Sequence, residues 1–142
     1  MQQSSHHPEI VSKINNSFAK QNMMSLLKAK ITIENPGKVV IQAPILPETH
    51  QQHGFAHAAV TFALGDSAAG YAALSVMPLD REVLTAEMKI NLLAPATGQE
   101  LRAIGRVIKP GRRLVIVGAT VLAINGGKET EVAVLQGTMV PV

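Results

Sequence analysis

Apolar and polar positions along the chain change their period several times, and each change marks an element. Pro8 stands where a helix can begin, and Ile10, Val11, Ile14 and Phe18 recur at helical spacing. They predict a short amphipathic helix to about Lys20. Met23, Met24, Leu26 and Leu27 follow as an apolar patch. Residues 29–34 and 38–43 flank Asn35-Pro36-Gly37 and predict a β-hairpin. Pro44 and Pro47 bound a loop that runs to about Gly54. Residues 56–75 are apolar or small on every side and predict a buried helix, with Pro78 preventing its continuation. Residues 83–93, 99–108, 113–123 and 129–140 then predict strands, with turn signals at Ala94-Pro95, Pro110-Gly111 and Asn125-Gly126-Gly127.

The order is helix, two strands, a long buried helix, then four antiparallel strands. Helices segregated against one antiparallel sheet give an α+β layer architecture. A helix apolar all round needs more cover than one sheet face provides. A strongly curved sheet wrapped around it, with a partner subunit on the remaining side, meets that need. Residues 114–117 and 132–135, apolar on both strand faces, agree with this. No internal repeat or low-complexity linker divides the chain, so residues 1–142 read as one domain, with 1–7 as a disordered tail.

Composition narrows the function classes. The absence of cysteine removes disulfides, thiolate metal sites and a thiol nucleophile. The N-terminal residues lack a basic segment followed by an apolar run, which leaves the cytoplasm as the expected location. Charged residues make up only 16% of the chain, which suggests further burial in an oligomer interface. The run around residues 55–73 is long enough to raise a membrane span, but it is built from Ala and Gly and contains His57 and Asp66, so no membrane partner is expected. Net charge is +3, with one tight basic cluster, Lys109-Pro110-Gly111-Arg112-Arg113. A nucleic-acid surface wants a basic stripe with stacking aromatics. A compact basic turn suits a phosphorylated small molecule better.

Asp66 is the chemical signal. It stands in the apolar run with no fixed positive charge around it. A carboxylate placed there costs several kcal/mol unless it is partnered or its pKa rises. Perturbed acids cluster at active sites. His50, His53 and His57 invite a metal reading, but no carboxylate stands in a fitting local pattern, so no metal is expected.

The segment Gln51-Gln52-His53-Gly54-Phe55-Ala56-His57-Ala58-Ala59-Val60, followed by Asp66-Ser67-Ala68-Ala69-Gly70, resembles the hot-dog-fold acyl-CoA thioesterases of the phenylacetic-acid-degradation (PaaI-like) type. That family's pattern is Asn-x-x-Gly-x-x-His-Gly-Gly with an Asp nine residues after the His. Here Gln51 replaces the Asn, and Ala58-Ala59 replace the Gly-Gly. The later segments Thr85-Ala86-Glu87-Met88-Lys89-Ile90-Asn91 and Lys109-Pro110-Gly111-Arg112 continue the likeness, which spans residues 9–140.

The resemblance implies a hot-dog fold and hydrolysis of an acyl- or aryl-CoA thioester, with coenzyme A as part of the substrate and no separate cofactor. Asp66 would be the general base or the nucleophile. Gln51, Gly54 and the helix start at His57 and Ala58 would receive the thioester, with backbone N–H groups as an oxyanion hole. Thr85 would orient the attacking water. Met23, Met24, Phe62 and Leu64 would line the acyl group, and Lys109, Arg112 and Arg113 would meet the CoA phosphates. His57 and Asp66 are nine residues apart, which puts them on opposite sides of one helix. Two helices across a twofold axis would bring them together, in a homodimer or a tetramer built from it. Two other activities fit the same fold: hydration or dehydration of an enoyl or hydroxyacyl thioester, and acyl-CoA binding without catalysis.

Overall fold

A computed structural model describes residues 7–142. Six of the seven residues assigned to a disordered tail lie outside the described residues, and His7 serves as the N-cap of the first helix. That helix, α1, spans Pro8–Ala19 and buries Ile10 and Ile14, two of the residues that define its apolar stripe. The patch after it forms a short helix, α2, at Asn22–Leu26.

The hairpin follows the turn chemistry. Strands β1 (Lys30–Asn35) and β2 (Lys38–Pro44) pair antiparallel across Pro36-Gly37, where Gly37 takes φ +84°. A 3-10 turn at Pro47–Thr49 leads to the central helix α3, Ala58–Leu74. The remaining strands are β3 (Val83–Leu92), β4 (Glu100–Lys109), β5 (Val115–Asn125) and β6 (Lys128–Pro141). All pairings are antiparallel, in the order β1-β2-β4-β5-β6-β3. Helix α3 packs across β2 to β6, in the hot-dog arrangement that the resemblance implies.

Small side chains let α3 sit against the sheet. A Cβ built on Gly105 of β4 would lie 2.2 Å from the backbone carbon of Ala68, so backbone meets backbone there. Gly65 is similarly tight, with Leu135 methyls 2.9 Å from where its Cβ would be. Leu64, Ala68, Ala69, Ala72 and Ala73 are completely buried on the sheet side.

In the single chain α3 is not covered all round. Ala58 and Ala59 are exposed, and Phe62, Ala63, Asp66 and Ser67 are half-buried. The helix is apolar on every side, yet one stripe faces outward. Beside it, β3 forms a ten-residue sheet edge with exposed Leu84 and Leu92. An edge that long and apolar invites pairing with another strand.

The close approach at Gly105 generates a stability prediction. Gly105→Ala should destabilise the fold by about 1–3 kcal/mol, the range for overpacking. The urea midpoint measures it, and an unchanged midpoint would refute the backbone contact.

Candidate active site

Helix α3 carries both parts of the site, at different heights. Asp66 lies on its open stripe, and the Thr85 hydroxyl donates to Asp66 Oδ1 at 2.8 Å. A bulge in β3 makes this contact possible. Thr85 pairs with Met139 and Glu87 with Thr138, leaving Ala86 unpaired between them. Val83 and Thr85 therefore face the helix before the bulge, and Met88 and Ile90 pack against the core after it. Without the extra residue, strand alternation would put Thr85 on the same face as Glu87 and Lys89, which line a cavity on the outer side of the sheet. Burial raises the Asp66 pKa above the ordinary carboxylate value, and the Thr85 hydrogen bond partly opposes that rise. A carboxylate held this way is a better proton acceptor than an exposed one.

The second part sits at the start of α3. His57 is the N-cap, with extended backbone, and its Nδ1 accepts from the Ala59 N–H at 2.9 Å. Its own backbone N–H donates to Thr49 O at 2.9 Å. The His57 N–H is therefore spent on the loop rather than offered to a ligand. Among the described residues the Ala58 N–H has no partner. Gln51 shapes the preceding loop. Its Oε1 accepts from the His53 and Phe55 N–H groups, which leaves its Nε2 protons as free donors. Gly54 takes φ +82° and donates its N–H to Gln51 O, so it acts through the turn it permits.

The two parts open into different cavities. Asp66 and Thr85 line one of about 200 Å³. Gln51, His57 and Ala58 line another of about 570 Å³ with Phe55, Leu92 and Leu93. The two share no lining residue. Because α3 begins at Ala58, His57 is not on the helix, and the half-turn offset between His57 and Asp66 does not describe their separation. Axial rise does: eight residues from Ala58 to Asp66 span about 12 Å. A single carbonyl group could not touch both parts of one chain.

The other expected residues divide. Met24 and Leu64 are 1% and 0% exposed and belong to the core, which corrects their placement along an acyl pocket. Met23 is exposed and lines an apolar groove with Leu26, His57, Val60 and Ala63. Phe62 lies half-buried on the open stripe of α3. Lys109, Arg112 and Arg113 are exposed around the β4–β5 turn, and only Arg112 lines a cavity there, shared with Arg81. Arg81 was not singled out from sequence, since its place beside the turn depends on the fold. Also unforeseen is the Tyr71 hydroxyl, which meets Gln21 Nε2 at 2.7 Å and Ser17 Oγ at 3.1 Å inside the Asp66 cavity. A lone tyrosine in an apolar helix was the available signal, because a buried phenol needs a partner. Among the described residues no group of three or more His, Asp or Glu gathers to hold a metal, and no helix is long and apolar enough to cross a membrane.

Residues 53–130 match the sequence profile of the thioesterase superfamily. A thioesterase family protein from Silicibacter pomeroyi is similar at 39% identity and a TM-score of 0.92, covering 94% of this chain and 98% of that one. The PaaI protein from the phenylacetic acid degradation operon of E. coli is similar at 18% identity and a TM-score of 0.85, covering 97% and 96%. A Bacillus halodurans protein solved with CoA is similar at 22% identity and a TM-score of 0.75, covering 95% and 89%. The last two likenesses carry the fold alone. No curated protein matches the sequence.

The Asp66–Thr85 pair predicts a pH signature. A base must be ionised, so any activity that uses Asp66 should fall with acidification along a limb lying above the ordinary carboxylate range. Thr85→Val removes the contact that lowers the Asp66 pKa, so the limb should move to higher pH. Stability runs the other way. A raised folded-state pKa means the fold favours the protonated acid, so its contribution is present at low pH and lost as pH rises through that value. Asp66→Asn should therefore melt higher than wild type at neutral pH, with the gap closing in acid. A limb that stays in place in Thr85→Val would contradict the assignment.

Proposed function

The chain belongs to the thioesterase superfamily, and from that premise we propose that it hydrolyses an acyl- or aryl-CoA thioester in sites shared between two chains. The observation that carries the reading is the split between the Asp66–Thr85 pair and the donors at Gln51 and Ala58, each opening into its own cavity. A second copy set antiparallel against the open stripe of α3 would bring Asp66 of one chain to the Ala58 end of the other. The same docking would cover Phe62 and Ala63 and would give the β3 edge a strand to pair with. Half-exposed Ile104, Ile116, Leu122 and Val134 on the outer sheet face support the joining of two such dimers into a tetramer.

In this reading the thioester oxygen takes hydrogen bonds from the Ala58 N–H and Gln51 Nε2. Both strengthen as negative charge grows on it during attack. Asp66 removes a proton from water, whose oxygen bonds to the acyl carbon. The carbon–sulfur bond then breaks, and the departing sulfur leaves as the CoA thiolate and takes up a proton. Thr85 donates to Asp66 and has lone pairs free to accept from the same water, which favours general-base attack over a covalent acyl-aspartate. No separate cofactor enters. The reaction resembles that of the phenylacetic-acid-degradation type, and the motif around Gln51, His57 and Asp66 supports that finer placement. Hydration of an enoyl thioester is less well served, because the His57 Nδ1 is engaged in the helix cap.

Asp66→Asn should reduce acyl-CoA hydrolysis at least about 100-fold, as removal of a positioned base does. Mixing Asp66→Asn chains with chains carrying Gln51→Ala and Ala58→Pro should restore part of the activity, since each hybrid dimer holds one intact site. Subunit exchange is confirmed by mass spectrometry. Proven hybrids with no recovery would mean that each site is built within one chain, while binding without turnover in the wild type would favour the non-catalytic reading.

Lys109, Arg112 and Arg113, with Arg81 beside them, are the proposed contacts to the CoA phosphates. Arg112→Ala with Arg113→Ala should raise KM more than it lowers kcat, because a remote contact serves ground and transition states about equally. The effect should disappear for a thioester truncated before the nucleotide. Equal losses on truncated and complete substrates would remove these residues from the site.

A further inference from the structure

Gly137 lies in β6 between Leu135 and Met139 on the buried face of the strand, opposite Met88 of β3. A Cβ built on it would lie 2.4 Å from Glu87 O, 2.8 Å from Met88 Sδ and 3.0 Å from Met88 Cα. Two of these are backbone atoms. Strand β3 therefore leans over the inner side of β6, into the space that a side chain would take. Gly137 does not have a positive φ, so the close approach, and not the backbone angle, excludes a side chain there.

The lean comes directly after the bulge. Thr85 pairs with Met139, Ala86 is unpaired, and Glu87 pairs with Thr138. A bulge bends its strand and adds local twist, and that twist needs room on the neighbouring strand. Thr85, just before the bulge, is exposed in the single chain, so its place is set by the course of β3 rather than by packing. Its hydroxyl reaches Asp66 Oδ1 at 2.8 Å, and its other neighbour is the Met139 Sδ at 3.4 Å, a weak acceptor. Ordinary contact begins near 3.4 Å, so a methyl group on Gly137 would push the Glu87 carbonyl away by about 1 Å. A 2.8 Å hydrogen bond lengthened by that amount is lost. The charges around Asp66 are few. Glu82 and Tyr71 are the other titratable groups lining its cavity, no Lys, Arg or His does so, and Lys13 pairs with Glu82 at 3.3 Å.

We infer that Gly137 is a positioning residue for the reaction: its missing side chain lets β3 lean over β6 at Glu87, and that lean holds the Thr85 hydroxyl against Asp66. Its role in turnover rests on the reading that Asp66 acts as the base. Gly137 touches no substrate and acts only through the backbone of β3. Lining residues of the Asp66 cavity do not include it, so its effect reaches the carboxylate by way of Thr85.

Wild type, Gly137→Ala, Thr85→Val and the double variant make a cycle. The Asp66 pKa is read by carbon-detected NMR of the carboxyl group, and kcat and KM for hexanoyl-CoA are read across pH beside it. Gly137→Ala should raise the Asp66 pKa, lower kcat by about tenfold, the worth of one hydrogen bond to a charged group, and leave KM within about twofold. Thr85→Val should do the same, and the double variant should go no further than either single one. An unmoved pKa in Gly137→Ala would overturn the inference. So would an equal shift with and without the Thr85 hydroxyl, which would mean a general change in burial. Gly98→Ala separates position from stability, since its Cβ would lie 2.3 Å from Ile124 O, in the turn between β3 and β4. It should destabilise the fold and leave the Asp66 pKa in place, and a shift equal to that of Gly137→Ala would count against the inference. Should Gly137→Ala not fold, Met88→Ala in the same chain clears the thioether at 2.8 Å and keeps the Glu87 O contact, so the pair carries the same test against Met88→Ala alone. A raised pKa in Gly137→Ala with hydrolysis unchanged would support the positioning and defeat Asp66 as the base. Hydrolysis lost in Asp66→Asn with the pKa unmoved in Gly137→Ala would do the reverse.

Discussion

A single rigid helix holds the Ala58 N–H and the Asp66 carboxylate about 12 Å apart along its axis, and the other features of the site follow from that spacing. Neither group can be moved toward the other without unwinding α3, which is anchored by backbone contact at Gly105 and by fully buried Leu64, Ala68 and Ala69. The loop before the helix is fixed just as firmly. Gln51 closes its own turn through Oε1, and His57 ties the helix start to Thr49 and Ala59. In the proposed function these two fixed groups are the halves of a site completed by a second chain.

Several local costs make sense beside that split. Asp66 is a partly desolvated carboxylate, stabilised only by one hydroxyl among the described residues. The β3 edge is long and exposes Leu84 and Leu92, and the open stripe of α3 exposes small apolar residues. Each lowers the stability of an isolated chain, and all lie along one side of the molecule. In the proposed dimer the second copy covers the stripe and pairs the edge, so the surface that completes the chemistry also relieves the fold. The carboxylate remains the exception, since further desolvation would raise its pKa again and make it a stronger proton acceptor.

Much of the fold could be read from spacing and turn residues. Asn35-Pro36-Gly37 located the first hairpin, and Asn125-Gly126-Gly127 located the turn between β5 and β6, with strand ends within two residues of those expected. The long apolar run located α3, although His57 proved to be its cap rather than part of its first turn. Local pattern also singled out Asp66. What it missed depends on tertiary placement. The bulge at Ala86 that aims Thr85 at Asp66 has no side-chain signature. Ser17 and Gln21 lie 54 and 50 residues from Tyr71 in sequence. Met24 and Leu64 were taken for pocket residues because a methionine or leucine in an apolar run looks the same whether it faces a ligand or the core. Their exposures of 1% and 0% place them in the core.

The central claim is that one thioester is handled by two chains. The most direct measurement is a crystal structure with a methyl-ketone analogue of the acyl-CoA, in which a methylene replaces the sulfur. The account predicts the ketone oxygen within hydrogen-bonding distance of the Ala58 N–H and Gln51 Nε2 of one chain, and its carbonyl carbon beside Asp66 of the other. A ketone oxygen bound away from Ala58 and Gln51, or a carbonyl carbon approached by no carboxylate but its own chain's, would contradict it.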